Sequence, residues 1–261
     1  MKRILIWPLK LIFSIYALGV FISYLFLAFP IVLIAATLGQ PLSGNIVYRL
    51  CQWWADTFFM LTGVLHRNIF EAPHDRQKQY VFVFNHISFM DIPVIMKTIR
   101  KQHFRILGRS DLAKIPIFGL LYRLAVVTVD RSNPANRARS IQELKRVIAT
   151  GISVVIAPEG TFNTTRQPLK SFYDGAFKVA IETQTPIKPI LFLDTYDRFN
   201  YKSLLSFTPG KSRAVYLNEI SVEGLTLNDL PALKEKVFHQ MAEKLKYYQA
   251  SWIKENDTNN R

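Results

Sequence analysis

The reactive side chains of this sequence are concentrated in two short polar clusters, each of which follows a run typical of a β-strand. In the first, His86 comes directly after residues 80–85, and Asp91 lies five residues further along. Because an imidazole changes protonation near neutral pH, His86 at a strand end can take a proton from an attacking alcohol. A carboxylate across the turn can hold the other ring nitrogen and stabilise the imidazolium. The spacing therefore indicates a general base and its orienting acid, with a substrate hydroxyl in the place of an enzyme serine.

The same residues also fit ordinary structural roles. Ser88 and Asp91 match a capping box, in which the acidic side chain closes the N-terminus of a helix. A single histidine after a strand is more often structural than catalytic. The two roles of Asp91 are compatible, since a carboxylate has two oxygens, so both interpretations stay open at this point.

The second cluster is Ala157-Pro158-Glu159-Gly160-Thr161, again directly after a strand-like run. Such a turn presents backbone N–H groups, a hydroxyl and a carboxylate at the end of a strand, which suits a polar head group such as glycerol phosphate. The pattern alone is weak, because many turns contain glycine and threonine and Glu159 could simply be solvated.

Together, the two clusters resemble the glycerolipid acyltransferase family, which includes the glycerol-3-phosphate and 1-acylglycerol-3-phosphate acyltransferases. The resemblance covers residues 80–193 and includes four blocks in order. They are matched by Asn85, His86 and Asp91; by Pro116, Gly119 and Arg131; by Glu159, Gly160 and Thr161; and by Pro186 and Pro189.

The resemblance implies a role for each matched residue. His86 is expected to act as the base on the acceptor hydroxyl, with Asp91 orienting it. Arg131 is expected to pair with the acceptor phosphate, where a guanidinium fork fits well. Glu159, Gly160 and Thr161 are expected to line the acceptor pocket.

The expected co-substrate is a fatty acyl thioester on coenzyme A or acyl carrier protein, with no cofactor, no metal and no covalent acyl-enzyme. The sequence is consistent with this expectation, because it contains no Gly-x-Ser-x-Gly elbow and no histidine pair at metal-ligand spacing. The resemblance implies a lysophospholipid as acceptor, with lysophosphatidic acid favoured and phosphatidic acid as its expected product.

Two departures from the family pattern bear on the acceptor. Phe162 stands where an arginine usually follows the threonine, so a phosphate contact is missing or comes from Arg166 or Lys170. Val126 stands where a glycine is often found. The alternatives are acylation of a different lysolipid or an amino-acid-containing lipid, or a non-catalytic membrane-bound lipid-binding protein of the same fold.

Charge and hydropathy indicate a membrane protein. Lys and Arg number 33 against 19 Asp and Glu, giving a net charge of +14 and implying an anionic partner. Lys97, Arg100, Lys101, Arg105 and Arg109 form either a phosphate-binding surface or a solvated basic face. Nucleic-acid binding does not explain the uncharged stretch over residues 11–48, and no recognition motif is present.

The uncharged stretch predicts an apolar, membrane-embedded helical segment. As a helix, residues 11–48 would run ~57 Å, against a hydrocarbon core of about 30 Å. Basic residues flank the stretch on both sides, which favours a hairpin or kinked pair with both ends on the cytoplasmic face over a single span. We therefore expect the catalytic domain on the cytoplasmic face of a membrane.

The elements that must position these residues are those of an α/β fold, with a mixed sheet flanked by helices. Strands are predicted at residues 80–85, 125–129, 153–157, 189–193 and 212–217, and helices at 135–150, 175–183 and over the apolar repeat from Leu230 to Leu245. The predicted organisation is a membrane-anchoring segment (1–65), an acyltransferase domain (66–250) and a frayed polar tail (251–261).

Overall fold

The fold comes from a computed structural model that describes residues 2–130 and 133–253, with side chains described from residue 8 onward. Within these residues the chain forms eight α-helices and seven β-strands. The helices are α1 (Lys2–Ala36), α2 (Leu42–Leu61), α3 (Asp91–Thr98), α4 (Phe118–Ala125), α5 (Pro134–Ala149), α6 (Gly175–Thr183), α7 (Thr195–Arg198) and α8 (Leu230–Tyr247). The strands are β1 (Val64–Phe70), β2 (Val81–Phe84), β3 (Phe104–Arg109), β4 (Val126–Val129), β5 (Ser153–Ile156), β6 (Ile187–Phe192) and β7 (Gly210–Tyr216).

The strands form one sheet in the order β1-β7-β6-β2-β5-β3-β4. From β6 to β4 each neighbouring pair is parallel, whereas β7 is antiparallel to β6 and β1 runs parallel to β7. The central position of β2 between β6 and β5 brings the residues after β2 and β5 to the same edge of the sheet. This mixed sheet flanked by helices confirms the predicted fold class.

Strand β2 shows why the sheet is covered on both faces. All four of its residues are buried, and successive side chains point to opposite faces. Val81 and Val83 pack into a core shared with α5, α6 and α8, whereas Phe82 and Phe84 pack into a second core shared with α2 and α3. Such a strand reads as a continuous apolar run because neither face meets water.

The N-terminal segment folds as the predicted pair of helices, with a chain reversal between residues 36 and 42. The helices run antiparallel: the Tyr16 hydroxyl donates to Leu61 O at 3.2 Å, and the Tyr24 hydroxyl donates to Leu50 O at 2.7 Å. In the part of the chain described, one stretch, Pro8–Ala36, is long and apolar enough to cross a membrane. Helix α2 instead packs over the sheet, with Phe58 and Phe59 buried.

The predicted strands and helices are found close to their predicted bounds, but β1 and β3 were not predicted. The predicted tail also begins too early. Trp252 is buried, and its indole N–H donates to Gln167 O at 3.3 Å, so the chain is still packed against the domain at this point. Residues 254–261 lie outside the described part of the chain.

Candidate active site

His86 and Asp91 meet in a tight turn at the end of β2. The distance between His86 Nδ1 and Asp91 Oδ2 is 2.8 Å. Because an ionised carboxylate only accepts, this contact assigns the proton to Nδ1 and leaves Nε2 as the basic nitrogen. No described residue hydrogen-bonds Nε2, and the imidazole side chain is 22% exposed. The ring is therefore held at one nitrogen and open at the other.

Asp91 also shapes the turn that carries His86. Its Oδ2 accepts hydrogen bonds from the backbone N–H of Ile87 at 2.8 Å and of Ser88 at 2.9 Å. Asp91 is fully buried, and its Oδ1 has no partner among the described residues. Helix α3 begins at Asp91, and its N-cap, Met90, makes no side-chain cap hydrogen bond. Only half of the capping box considered from the sequence forms: Asp91 Oδ2 accepts from Ser88 N, but Ser88 Oγ accepts from Met90 N and not from Asp91 N.

Ser88 joins this turn to the segment after β6. Its Oγ lies 2.8 Å from Thr195 O and 2.5 Å from Phe199 O, and it accepts a hydrogen bond from Met90 N at 2.8 Å. From the sequence, Ser88 is expected only to cap a helix. Its position within the histidine motif is the one sequence signal for its role in holding the turn, and in the structure it is buried.

The segment after β5 is tied to His86 from both sides. Glu159 Oε1 accepts from His86 N at 2.8 Å, and His86 O accepts from Asn163 N at 2.7 Å. Glu159 Oε2 accepts from Lys170 N at 2.8 Å. Both carboxylate oxygens of Glu159 are therefore used to hold backbone segments together.

The burial of Glu159 has an electrostatic consequence. The residue is 1% exposed. Removal from water raises the pKa of its carboxyl to about 8, against the lowering effect of the two backbone hydrogen bonds. A protonated Glu159 can still accept through its oxygens, so the loop contacts do not require a buried negative charge next to Asp91.

Thr161 and Phe162 approach the site differently. Thr161 is exposed, and its Oγ1 lies 2.7 Å from Lys170 Nζ. The Phe162 ring lies against the imidazole, with 4.4 Å between the ring centroids, and it also contacts Phe89 at 5.1 Å and Tyr201 at 6.0 Å. Aromatic side chains therefore line one side of His86, and the ammonium group nearest to Thr161 is that of Lys170.

The basic residues that follow the histidine motif do not form one free cationic surface. Lys97 and Arg100 both pair with Asp56, and Arg109 pairs with Asp111. The fourth of these cations, Arg105 in β3, is buried because its guanidinium donates to Asn45 Oδ1 in α2. Only Lys101 remains exposed without an ion pair among the described residues.

Comparison with known proteins gives the family. The Acyltransferase family matches residues 66–193. The human 1-acyl-sn-glycerol-3-phosphate acyltransferase beta is 30% identical over 194 residues, which cover 72% of this chain and 68% of the relative. The chain belongs to the glycerolipid acyltransferase family.

Other relatives agree with this assignment. The human 1-acyl-sn-glycerol-3-phosphate acyltransferase alpha is 34% identical over 62% of this chain, and the coconut (Cocos nucifera) 1-acyl-sn-glycerol-3-phosphate acyltransferase is 33% identical over 70% of it. The matches span 57% and 56% of those relatives. The crystal structure of the 1-acyl-sn-glycerophosphate acyltransferase of Thermotoga maritima has the same fold, with a TM-score of 0.74 at 21% identity over 97% of this chain and all of that one.

The structure brings together residues of the first and third acyltransferase blocks. His86, Asp91, Glu159 and Thr161 are joined through the hydrogen bonds of two adjoining loops. Gly160 sits in that second loop with a φ of +72°, a conformation that favours glycine. Arg131 lies outside the described residues, so its predicted contact with an acceptor phosphate stays a prediction.

Gly119, in the second acyltransferase block, is required by close packing. A Cβ added at this position would lie 2.4 Å from Ala113 O, so only glycine fits at the start of α4.

Within the described residues, no group of three or more His, Cys, Asp or Glu side chains is arranged to hold a metal ion.

Proposed function

We propose that the protein transfers a fatty acyl group from an acyl thioester to the free hydroxyl of 1-acyl-sn-glycerol-3-phosphate, giving phosphatidic acid. The observation that carries the proposal is the state of His86, which is fixed at Nδ1 by a buried carboxylate and has no described partner at Nε2. The names of the relatives support the same reaction and the same acceptor.

In the proposed reaction His86 is the general base. Nε2 takes the proton of the acceptor hydroxyl while its oxygen forms a bond to the thioester carbonyl carbon. Asp91 stabilises the imidazolium through the 2.8 Å hydrogen bond to Nδ1. The tetrahedral intermediate then expels the thiolate, which takes the proton back from Nε2 and leaves as a free thiol. The donor is a thioester of coenzyme A or acyl carrier protein, and no cofactor takes part.

The acceptor phosphate requires cations near the site. We propose that Arg131 pairs with it and that Lys170 takes the place of the arginine that the family usually carries at Phe162. The Lys170 ammonium reaches Thr161 in the same loop, whereas the Arg166 side chain makes no described hydrogen bond or ion pair. In this proposal Gly160 and Thr161 line the acceptor site, and Glu159 positions His86 through the backbone.

A second acceptor class is favoured by one observation. The Phe162 ring packs directly on the imidazole, where the family pattern has a cation. An aromatic ring binds apolar groups rather than phosphate, so a lysolipid whose phosphate lies further from His86 fits this wall as well.

Association with a membrane is supported by α1. Only 17% of its most apolar part is buried inside the protein, and exposed side chains such as Leu27 and Ile34 point outward. Because α1 lies along α2, and α2 packs on the sheet, a membrane that takes up α1 lies directly against the catalytic domain. We propose that the domain faces the cytoplasm, as the basic flanks of α1 and α2 suggest.

The test is acyl transfer by the purified protein in detergent. Palmitoyl or oleoyl thioesters of coenzyme A and of acyl carrier protein are offered with a panel of lysolipids. The proposal expects lysophosphatidic acid to be the best acceptor. A preference for another lysolipid would move the acceptor assignment to the second class, and no transfer to any lysolipid from either donor would contradict the proposed activity.

A further inference from the structure

A cavity of about 490 Å³ lies between the first turns of α1 and the segment 196–208. None of the residues proposed for acyl transfer lines it. Its α1 wall is formed by Lys10 and Leu11, and its other wall includes Asp197, Ser203 and Leu205. The two walls are joined below by a hydrogen bond of 3.1 Å from Phe207 N to Ser14 Oγ.

Two opposite charges line this cavity without pairing. Neither the ammonium of Lys10 nor the carboxylate of Asp197 forms an ion pair within 4.0 Å with any residue described in the structure. Since both groups border the same space, the cavity presents a positive and a negative group to whatever enters it. A ligand that carries both charges satisfies both groups, whereas a purely anionic ligand leaves a carboxylate facing it.

The neutral polar groups of the cavity also comprise free hydrogen-bond donors and free acceptors. The donors are on Asn200 and Ser203. The oxygens of these side chains accept from Lys202 N and Leu205 N, but the Asn200 amide N–H₂ and the Ser203 hydroxyl proton have no described partner. Unused acceptor capacity is present on Ser206 and Thr208, whose hydroxyl protons already go to backbone carbonyls.

The surroundings of the cavity are apolar and exposed. Leu9 and Ile12 flank the α1 wall and are 65% and 64% exposed, and Leu204 beside the other wall is 61% exposed. These side chains continue the outward apolar surface of α1. A charged cavity with such a rim fits a ligand that has a small polar head and hydrocarbon chains.

From these observations we infer that the cavity binds the head group of a zwitterionic membrane phospholipid that carries a primary ammonium. Lys10, Asn200 and Ser203 donate to its phosphate, and Asp197, Ser206 and Thr208 accept from its ammonium. Its acyl chains lie along the leucine and isoleucine rim. This lipid is neither donor nor acceptor in acyl transfer, so the inference stands apart from the proposed function.

The site has a direct connection to the histidine turn. The segment that forms its wall also accepts the Ser88 hydroxyl at Thr195 O and Phe199 O, and Asn200 pairs with Ser88 in a β-bridge. A lipid bound here therefore stabilises the segment that hydrogen-bonds Ser88 in the turn of His86. It also connects the catalytic domain to the membrane at this position.

Native mass spectrometry of the full, delipidated protein measures this binding without any acyl transfer. Phosphatidylethanolamine, phosphatidylcholine and phosphatidylglycerol with identical acyl chains are titrated against wild type, Lys10→Gln and Asp197→Asn. Lys236→Gln and Glu223→Gln are matched controls, because both side chains are exposed and take part in no described ion pair.

For the wild type we expect one phosphatidylethanolamine to bind about tenfold more tightly than the other two lipids, the factor expected for one charge-assisted contact. Lys10→Gln should weaken all three lipids by about tenfold, and Asp197→Asn should remove the preference for phosphatidylethanolamine. The control variants should bind as the wild type does.

Three results would overturn the inference. The first is an unchanged preference for phosphatidylethanolamine in Asp197→Asn, and the second is an unchanged affinity in Lys10→Gln. The third is equally tight binding of soluble phosphoethanolamine, because a ligand without acyl chains makes no use of the apolar rim. In that case the occupant would be a soluble metabolite and not a membrane lipid.

Discussion

Replacing Asp91 by asparagine changes the charge of the residue while keeping its shape. If the amide oxygen takes the position of Oδ2, it can still accept from the backbone N–H of Ile87 and Ser88. The amide N–H₂ then occupies the buried position of Oδ1, which has no partner. An unsatisfied buried donor costs about 1–3 kcal/mol, so the free energy of unfolding should fall by that amount while the fold is retained.

The effect on turnover should be much larger. In the proposed reaction the imidazolium forms 2.8 Å from the carboxylate of Asp91, which is fully buried. The asparagine oxygen in the Oδ2 position can still accept from Nδ1–H, but it provides no negative charge to stabilise the imidazolium. Loss of that charge corresponds to a fall in kcat of about 10²–10⁴-fold, or about 3–5 kcal/mol of transition-state stabilisation. The KM values of donor and acceptor should change little.

Steady-state acyl transfer and thermal denaturation, measured on the same preparations, test this prediction. Asp111→Asn is the matched control, because the Asp111 side chain is 55% exposed and pairs only with Arg109. It should retain near-normal turnover. If Asp91→Asn loses stability as predicted but turns over within about threefold of wild type, Asp91 only shapes the turn and the proposed orienting role is wrong.

Three further predictions concern the acceptor and the buried carboxyl. Lys170→Ala should raise the acceptor KM about 10-fold and leave the donor KM unchanged, and Arg166→Ala should have a smaller effect. Arg131→Ala should likewise raise the acceptor KM more than the donor KM. Because burial raises the pKa of Glu159 from 4.5 to about 8, its protonated form contributes stability that is fully present below about 4.5 and is lost as pH rises through about 8. The melting temperature of Glu159→Gln should therefore fall less than that of wild type between about pH 6 and 9.

Each of these three predictions has a contrary outcome. Equal effects of Lys170→Ala and Arg131→Ala on both KM values would indicate that these residues support the structure rather than the acceptor. A larger effect of Arg166→Ala than of Lys170→Ala would reassign the missing phosphate contact. Parallel pH dependence of melting in wild type and Glu159→Gln would mean that another group titrates in this range.

The sequence predicted the central strands well because their burial leaves a simple signal. β2 is a continuous apolar run, and β5 is apolar after its first residue, Ser153; both are buried at every residue, and each is followed by a cluster of polar residues. Helices α5, α6 and α8 show the spacing of one buried face, and α5 begins at the Asn133 cap followed by proline. These local patterns were enough to place His86 and Glu159 at neighbouring strand ends.

Strands β1 and β3 could not be predicted because their sequences do not look buried. β1 contains His66, Arg67 and Asn68 and lies at the edge of the sheet, where it pairs with β7 alone. β3 contains Arg105, which the sequence suggested was part of a surface. In the fold its guanidinium donates to Pro41 O and Asn45 Oδ1, at the start of α2. Only the tertiary contact with the N-terminal helices explains a buried arginine there.

The sequence predicted which residues form the site but not all of the contacts between them. The histidine and the aspartate followed from their spacing. The use of both Glu159 oxygens by backbone groups did not, because it depends on how the loops after β2 and β5 meet. Phe162 was noticed as a missing cation, and its packing on the imidazole became evident only when the loops were seen together.

The most direct test of His86 as the catalytic base is acyl transfer to lysophosphatidic acid by His86→Ala, with His103→Ala as the control. His103 is exposed, and its side chain makes no described hydrogen bond. We predict that His86→Ala folds and binds membranes as the wild type does but loses at least about 10³-fold in turnover, whereas His103→Ala is unaffected. Turnover by His86→Ala within about tenfold of wild type would contradict the central claim that this imidazole is the catalytic base.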